Sequence, residues 1–371
     1  MNINDTLEKI ITKVSAEAER LGDKIPYIPK EDGFYADTEN ISSWVNGFWA
    51  GMLWQLYNIS GIELFRTIAE SSEKRLDAAL ERFENIDHDA GFLWLHTAGA
   101  NYRVTGNKRS KNRILHAAAI LAGRYNLDLE IIRAWNGQNM HGYDAAGVAI
   151  IDTMMNLPLL YLASEITGDT RFKSIAVHHA DTMLKYMIRP DGSVNHQLVF
   201  DTKSGELLAN PGGQGYESGS SWSRGQAWAI YGFALSYRHT GEMRYLDAAK
   251  RSAAYFISNV SATEYIPLVD LRAPKDPIYF DTTAGAIAAC GLMEIAEYVS
   301  KWEKALYNES ALKLITAIDE KWCDYNPNTD GIVDGGSTSY HDKMHHEKII
   351  YGDYFFIEAA LRTIGKHLFI W

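Results

Sequence analysis

The chain has 371 residues, 46% of them hydrophobic, which is ample material for a large buried core. Its net charge of −11 excludes the basic footprint that nucleic-acid binding needs, and no run of about 18 apolar residues is present to span a membrane. The opening stretch, MNINDTLEKIITKVSAEAERLGDK, lacks the basic and apolar regions of a signal peptide, and Cys290 and Cys323 belong to no CxxC or Cys/His cluster, so a cytoplasmic protein without zinc is expected.

Apolar periodicity near 3.6 residues predicts about twelve helices. In chain order they cover 5–22, 43–59, 62–84, 89–104, 108–126, 146–166, 170–188, 223–239, 242–259, 281–299, 303–322 and 352–366. No alternating strand run stands out beyond short loop pieces such as 196–200. No Pro/Ser run or charge block divides the chain, so one domain over 1–371 is expected.

Four junctions repeat one pattern, with a helix ending at Gly61, Gly106, Gly168 or Gly241 and a charged helix following. Glycine just past a helix end supplies the left-handed cap conformation. A repeat of this kind signals stacked helical hairpins, and the helix count fits an all-α (α/α)6 toroid. Segments such as KRSKNRILHAAAI and RYLDAAKRSAAYF, amphipathic and charged, belong to the outer ring. WVNGFWAGMLWQLY, RGQAWAIYGFALS and TTAGAIAACGLMEIA are apolar or glycine-rich and belong to the inner one.

Polar residues recur where inner helices begin: Trp44 and Asn46, His88 and Asp89, Asp152, Arg224 and Gln226, Asp281, Asp353. If these ends point one way, the residues ring one mouth, where unpaired N–H groups suit an anionic ligand. Asp89, Asp281 and Asp353 also suit the simpler role of helix caps. Asp152 is different. It lies within AIIDTMMNLPLLYL, and no Lys or Arg occurs from Ala134 through Thr170. A buried carboxyl without a local cation should have a raised pKa, as a general acid near neutrality requires. Arg224 and Trp228 stand four apart on one helical face, so the arginine could hold a carboxylate while the tryptophan stacks on a sugar ring; the arginine could equally tie loop carbonyls together. His196 lies in a long loop, and the His345–His346 pair has no third ligand at metal-site spacing, so no metal is expected.

HDAGFLW, IIDTMMNLPLL, GQGYESGSSWSRGQAWAIYGFAL and YGDYFFIEAAL resemble motifs of the unsaturated glucuronyl hydrolases, glycoside hydrolase family 88. WVNGFWAGMLWQLY, IIRAWNG, NHQLVFDTKSGEL and DTTAGAIAACGL fit in the same order, and the resemblance spans roughly residues 40 to 367. It implies an (α/α)6 toroid that acts, without a cofactor, on an oligosaccharide bearing a 4,5-unsaturated uronic acid at its non-reducing end. It implies Asp152 as general acid and base, and Asp89 as the partner that keeps it protonated. It implies Trp44, Trp135, His196, Gln214, Arg224, Trp228 and Tyr340 as contacts to the unsaturated sugar.

The chain departs from the family pattern in three places. Gly213 precedes Gln214 where many members carry Arg or His, and Phe280 replaces a common Arg. The region SYHDKMHHEKIIYGDY lacks the Ser-x-x-Ser-x-Lys loop of members that handle sulfated substrates. Unsulfated disaccharides are therefore the expected substrates unless Lys343 or Lys348 substitutes. An unsaturated rhamnogalacturonyl hydrolase is the nearest alternative. A sugar epimerase and a non-catalytic carbohydrate-binding toroid are more distant ones.

Overall fold

The computed structural model describes residues 1–83, 85–140 and 142–371. The helices are α1 (Ile3–Leu21), α2 (Phe48–Ser60), α3 (Glu63–Arg75), α4 (Asp77–Arg82), α5 (Ala90–Trp94), α6 (Ala100–Thr105) and α7 (Lys108–Ala122). They continue as α8 (Leu157–Thr167), α9 (Thr170–Tyr186), α10 (Ser223–Thr240), α11 (Met243–Val260), α12 (Thr282–Ala296), α13 (Lys301–Trp322) and α14 (Ile350–Thr363). A π-helical turn, Leu95–Gly99, joins α5 to α6 as one inner element.

The inner elements pack in sequence, α2 on α5–α6, then α8, α10, α12 and α14, and α14 returns to α2. The outer helices α1, α3, α7, α9, α11 and α13 cover the gaps, so the architecture is the expected (α/α)6 toroid. Burial follows this division. Every residue of α12 is buried, as is α10 from Ser223 to Ser236, whereas α7 and α11 bury only one stripe. Small residues allow close inner packing: a Cβ at Gly232 would stand 2.5 Å from Met154 Cβ. The four predicted glycine caps all adopt left-handed geometry, with φ between 68° at Gly61 and 73° at Gly168 and Gly241. Asn107 and Asp169 cap the helices that follow their turns by accepting backbone N–H groups.

The toroid is closed at its far end. Trp371 is fully buried, lies nearly parallel to Phe355 at 5.9 Å, and donates from Nε1 to Glu358 Oε2 at 3.0 Å. Burial of such a side chain is worth about 1.5–3 kcal/mol.

Two predicted helices are corrected. The stretch 62–84 divides into α3 and α4, and its last residue, Glu84, lies outside the described residues. The stretch 146–166 begins instead in a 3-10 turn, Ala145–Gly147, that leads into strand β5 of a small antiparallel sheet. Among the described residues, seven short strands form three such sheets: β1 (Tyr125–Asn126) with β2 (Ile131–Ile132), β3 (Asn139–Met140) with β4 (Tyr143–Asp144), and the order β5-β6-β7. Here β5 is Val148–Ile150, β6 Gln197–Phe200 and β7 Leu207–Ala209. Tertiary pairing overrides helical periodicity because β-branched Val148 and Ile150 find partners in Val199 and Gln197.

Candidate active site

The site forms at the N-terminal mouth of the inner ring. Asp152 lies in a 3-10 turn, Ile151–Met155, between β5 and α8. Ile150 pairs with Gln197, and the next N–H, of Ile151, donates to the His196 carbonyl at 3.1 Å. The ladder thereby brings His196 beside Asp152, with Nε2 3.5 Å from Oδ2. The Gln214 backbone N–H donates to His196 Nδ1 at 2.9 Å. The Gly212 carbonyl lies farther from the same nitrogen, at 3.3 Å, so the shorter Gln214 bond makes Nδ1 the acceptor and leaves the ring hydrogen on Nε2, facing Asp152.

This arrangement corrects the expected protonation of Asp152. Burial pushes its pKa upward, but the His196 Nε2–H contact, with His88 and the Arg224 guanidinium nearby, holds it below the ordinary aspartate range. The lack of a cation in the neighbouring sequence was no guide, because the histidine arrives from another strand. Asp89 carries the raised pKa instead. Burial, then the Asp87 and Asp152 carboxyls, push it well above the ordinary range, against a bond from Asn156 and the charge of Arg124. Neighbouring carboxyls resist joint ionisation, so the protonated form is favoured at Asp89 and the ionised form at Asp152.

His88 lies between them. Its Nε2 is 3.5 Å from Asp89 Oδ2 and its Nδ1 is 2.9 Å from Thr153 Oγ1, while burial lowers its pKa and favours the neutral ring. Asp87, His88 and Asp89 bring donor atoms within 4.8 Å of one another. The geometry is that of a turn, in which Asp87 Oδ1 accepts the Asp89 N–H at 2.9 Å.

Arg224 is buried and fully engaged. It donates to Asp281 Oδ2 and the Ser337 carbonyl at 2.6 Å each and to the Thr338 carbonyl at 2.7 Å, beneath the Trp222 and Tyr351 rings. Of the two roles open to it in the sequence, the loop-tying one matches these contacts. Gln214 grips the same segment through Nε2 to the Thr338 carbonyl at 2.7 Å, and Tyr340 N–H returns to the Gln214 carbonyl at 2.8 Å. Asp281 therefore anchors Arg224 and makes no side-chain cap. Asp353 stands apart from the mouth group: it accepts the Ile332 and Val333 N–H groups, and burial raises it to about 6.

The aromatic residues divide by depth. Trp44 is half-buried against Tyr351 at 5.0 Å and Phe92 at 5.4 Å, and Trp135 stands edge-on to His88 at 6.3 Å. Tyr340 packs edge-on to Tyr216 at 4.9 Å. Trp228 is a correction. It has no exposed surface and packs against Phe92 and Phe355, so it forms the floor beneath the site and offers no face to a sugar. His345 stacks on Tyr279 at 3.7 Å and His346 Nε2 accepts the Phe280 N–H, so the histidine pair is occupied in local packing. Sequence reasoning passed over Asn156 and Trp222. The first lies four residues after Asp152 and the second two before Arg224; those spacings were the available signal.

A helical toroid closed at one end, with two carboxyls at the opposite mouth, is the framework of a glycoside hydrolase. The chain belongs to Glycosyl Hydrolase Family 88, whose model matches residues 25–351. It is 35% identical over 351 residues to an unsaturated glucuronyl hydrolase of Bacillus sp. strain GL1, covering 92% of each chain. It is 31% identical to an unsaturated chondroitin disaccharide hydrolase of Streptococcus agalactiae serotype III, covering 98% of this chain and 91% of the relative. The crystal structure of the Bacillus sp. GL1 enzyme, described as responsible for the degradation of glycosaminoglycan, superposes with a TM-score of 0.90 at 33% identity, over 96% of each chain.

Proposed function

We propose that the protein, as one catalytic domain spanning the chain, removes a 4,5-unsaturated uronic acid from the non-reducing end of short, glycosaminoglycan-type oligosaccharides by hydrating the C4–C5 double bond. The names of its relatives support the substrate class. The observation that carries the chemistry is the arrangement of the two carboxyls, Asp89 bonded to Asn156 beside the Asp152 turn and Asp152 faced by His196, with Asp89 pushed up and Asp152 held down.

The uronate carboxylate enters beside His196 and Gln214 and takes up part of the imidazole's field. A second anion near His196 raises the pKa of Asp152, and a proton passes to it from Asp89. Asp152 gives that proton to C4. A water adds its oxygen to C5 and returns one proton to Asp152, which restores the pair. The hemiketal at C5 opens to a ketone and the aglycone leaves C1 without direct attack there, unlike the substitution at C1 in ordinary glycosidases. Trp44, Trp135 and Tyr340 flank the ring, while Arg224 holds the Ser337–Thr338 segment against Gln214.

Unsulfated substrates are preferred in this reading. Lys348, one possible sulfate contact, is committed to Asp324 Oδ2 at 2.5 Å. The cytoplasm, where Cys290 and Cys323 remain reduced, suits an enzyme that takes up lyase products. The test follows the ultraviolet absorbance of the conjugated double bond in sulfated, unsulfated and rhamnose-linked unsaturated disaccharides. Wild type should bleach the unsulfated glucuronyl substrate fastest, and Asp152→Asn should lose about 10²–10⁴-fold in rate. Stable absorbance with every uronide overturns the activity, and faster loss of a sulfated substrate overturns the preference.

A further inference from the structure

Asn156 is completely buried and uses its amide oxygen and both N–H hydrogens across two inner elements. Its Oδ1 accepts the Phe92 N–H at 2.8 Å, an amide left unpaired in the first turn of α5. Because that N–H can only donate, the carboxamide orientation is fixed by chemistry, and Nδ2 faces the carboxyl pair. One Nδ2 hydrogen goes to Asp89 Oδ1 at 3.0 Å and the other to the Asp152 backbone carbonyl at 3.3 Å. The approach is close enough to require glycine opposite: a Cβ at Gly91 would stand 2.6 Å from Asn156 Cα and 2.7 Å from its Oδ1.

We infer that Asn156 is the positioning residue that decides which oxygen of Asp89 carries the proton and holds the two carboxyls in register. With Oδ1 occupied as an acceptor, the proton of Asp89 sits on Oδ2, the oxygen on the His88 side. Asn156 also clamps the 3-10 turn of Asp152 to the start of α5. The charged and titratable groups that bear on Asp89 are Asp87 and His88 from its own turn, Asp152 from the 3-10 turn and Arg124 from the segment after α7. Asn156 is the neutral donor among them. The inference rests on the proposed roles of Asp89 and Asp152.

The test combines a carbon NMR titration of the Asp89 carboxyl with pH profiles of kcat and KM, in wild type, Asn156→Leu and Asn156→Asp. Leucine removes the donor that stabilises the Asp89 carboxylate. Asp89 should then titrate at higher pH, and kcat should fall by about 10²-fold through misplacement of the pair, with KM little changed because Asn156 has no exposed surface. A protonated aspartic acid can accept from the Phe92 N–H and donate to Asp89, though not also to the Asp152 carbonyl, so Asn156→Asp should recover part of the rate at acid pH and lose it as the added carboxyl ionises. An Asp89 titration unmoved in Asn156→Leu overturns the inference. If the leucine variant does not fold, a loss in Asn156→Asp that is flat with pH overturns it instead. Inactivity of wild type on every unsaturated uronide removes the functional reading alone, since the Asp89 titration still decides the role of Asn156.

Discussion

His196 Nε2 stands 3.5 Å from Asp152 Oδ2, and the Gln214 N–H holds the opposite ring nitrogen at 2.9 Å. The backbone thus selects the imidazole tautomer, and the imidazole in turn selects the charge of Asp152. Replacing His196 with alanine removes the contact that lowers the Asp152 pKa. The second protonation of the carboxyl pair then occurs at higher pH, so the acid limb of the kcat/KM profile should move up. A profile whose acid limb stays in place would show that His196 does not set the charge of Asp152.

Asp89 gives a stability prediction of definite sign. Its folded pKa lies well above the unfolded value, so its contribution to stability is full below the unfolded pKa and is lost as pH rises through the folded one. An asparagine in its place does not ionise. Asp89→Asn should therefore cost activity yet gain in melting temperature relative to wild type as pH rises from about 4 toward neutrality, by on the order of a few degrees. Calorimetry across that range decides it; a difference independent of pH contradicts the assignment.

Arg224 and Asp281 are both buried, and removing one partner strands the other charge together with the Ser337 and Thr338 carbonyls. Arg224→Ala should destabilise the fold by about 3–5 kcal/mol. Arg224→Lys keeps the charge but cannot match the three-way fork, and should also lower stability. Urea denaturation midpoints measure both, and a midpoint equal to wild type for the alanine variant would sink this account.

Depth separates the two tryptophans. Trp228→Ala should lose about 3–5 kcal/mol of stability as a core truncation. Trp44, half-buried at the mouth, should act mainly on binding, so Trp44→Ala should raise KM with a smaller change in kcat. Parallel kinetics and unfolding curves test the pair, and an exchange of these signatures would place the sugar-stacking face on Trp228 after all.

Local patterning in the sequence determined much of this protein. Apolar periodicity identified inner and outer helices, the glycines at 61, 106, 168 and 241 marked hairpin turns, and polar residues at helix starts pointed to one mouth. These features depend on residues within a turn or two of one another, so they are visible along the chain. Only the tertiary structure decided the opposite shifts of the two carboxyls, because Asp152 answers to His196, His88 and Arg224, and Asp89 to Asp152, Asn156 and Arg124, which other elements deliver. It likewise turned 148–150 into a strand, committed Arg224 to Asp281 and sank Trp228 into the floor. Strand pairing, burial and charge coupling are set by distance in space, and periodicity along the chain carries no measure of that distance.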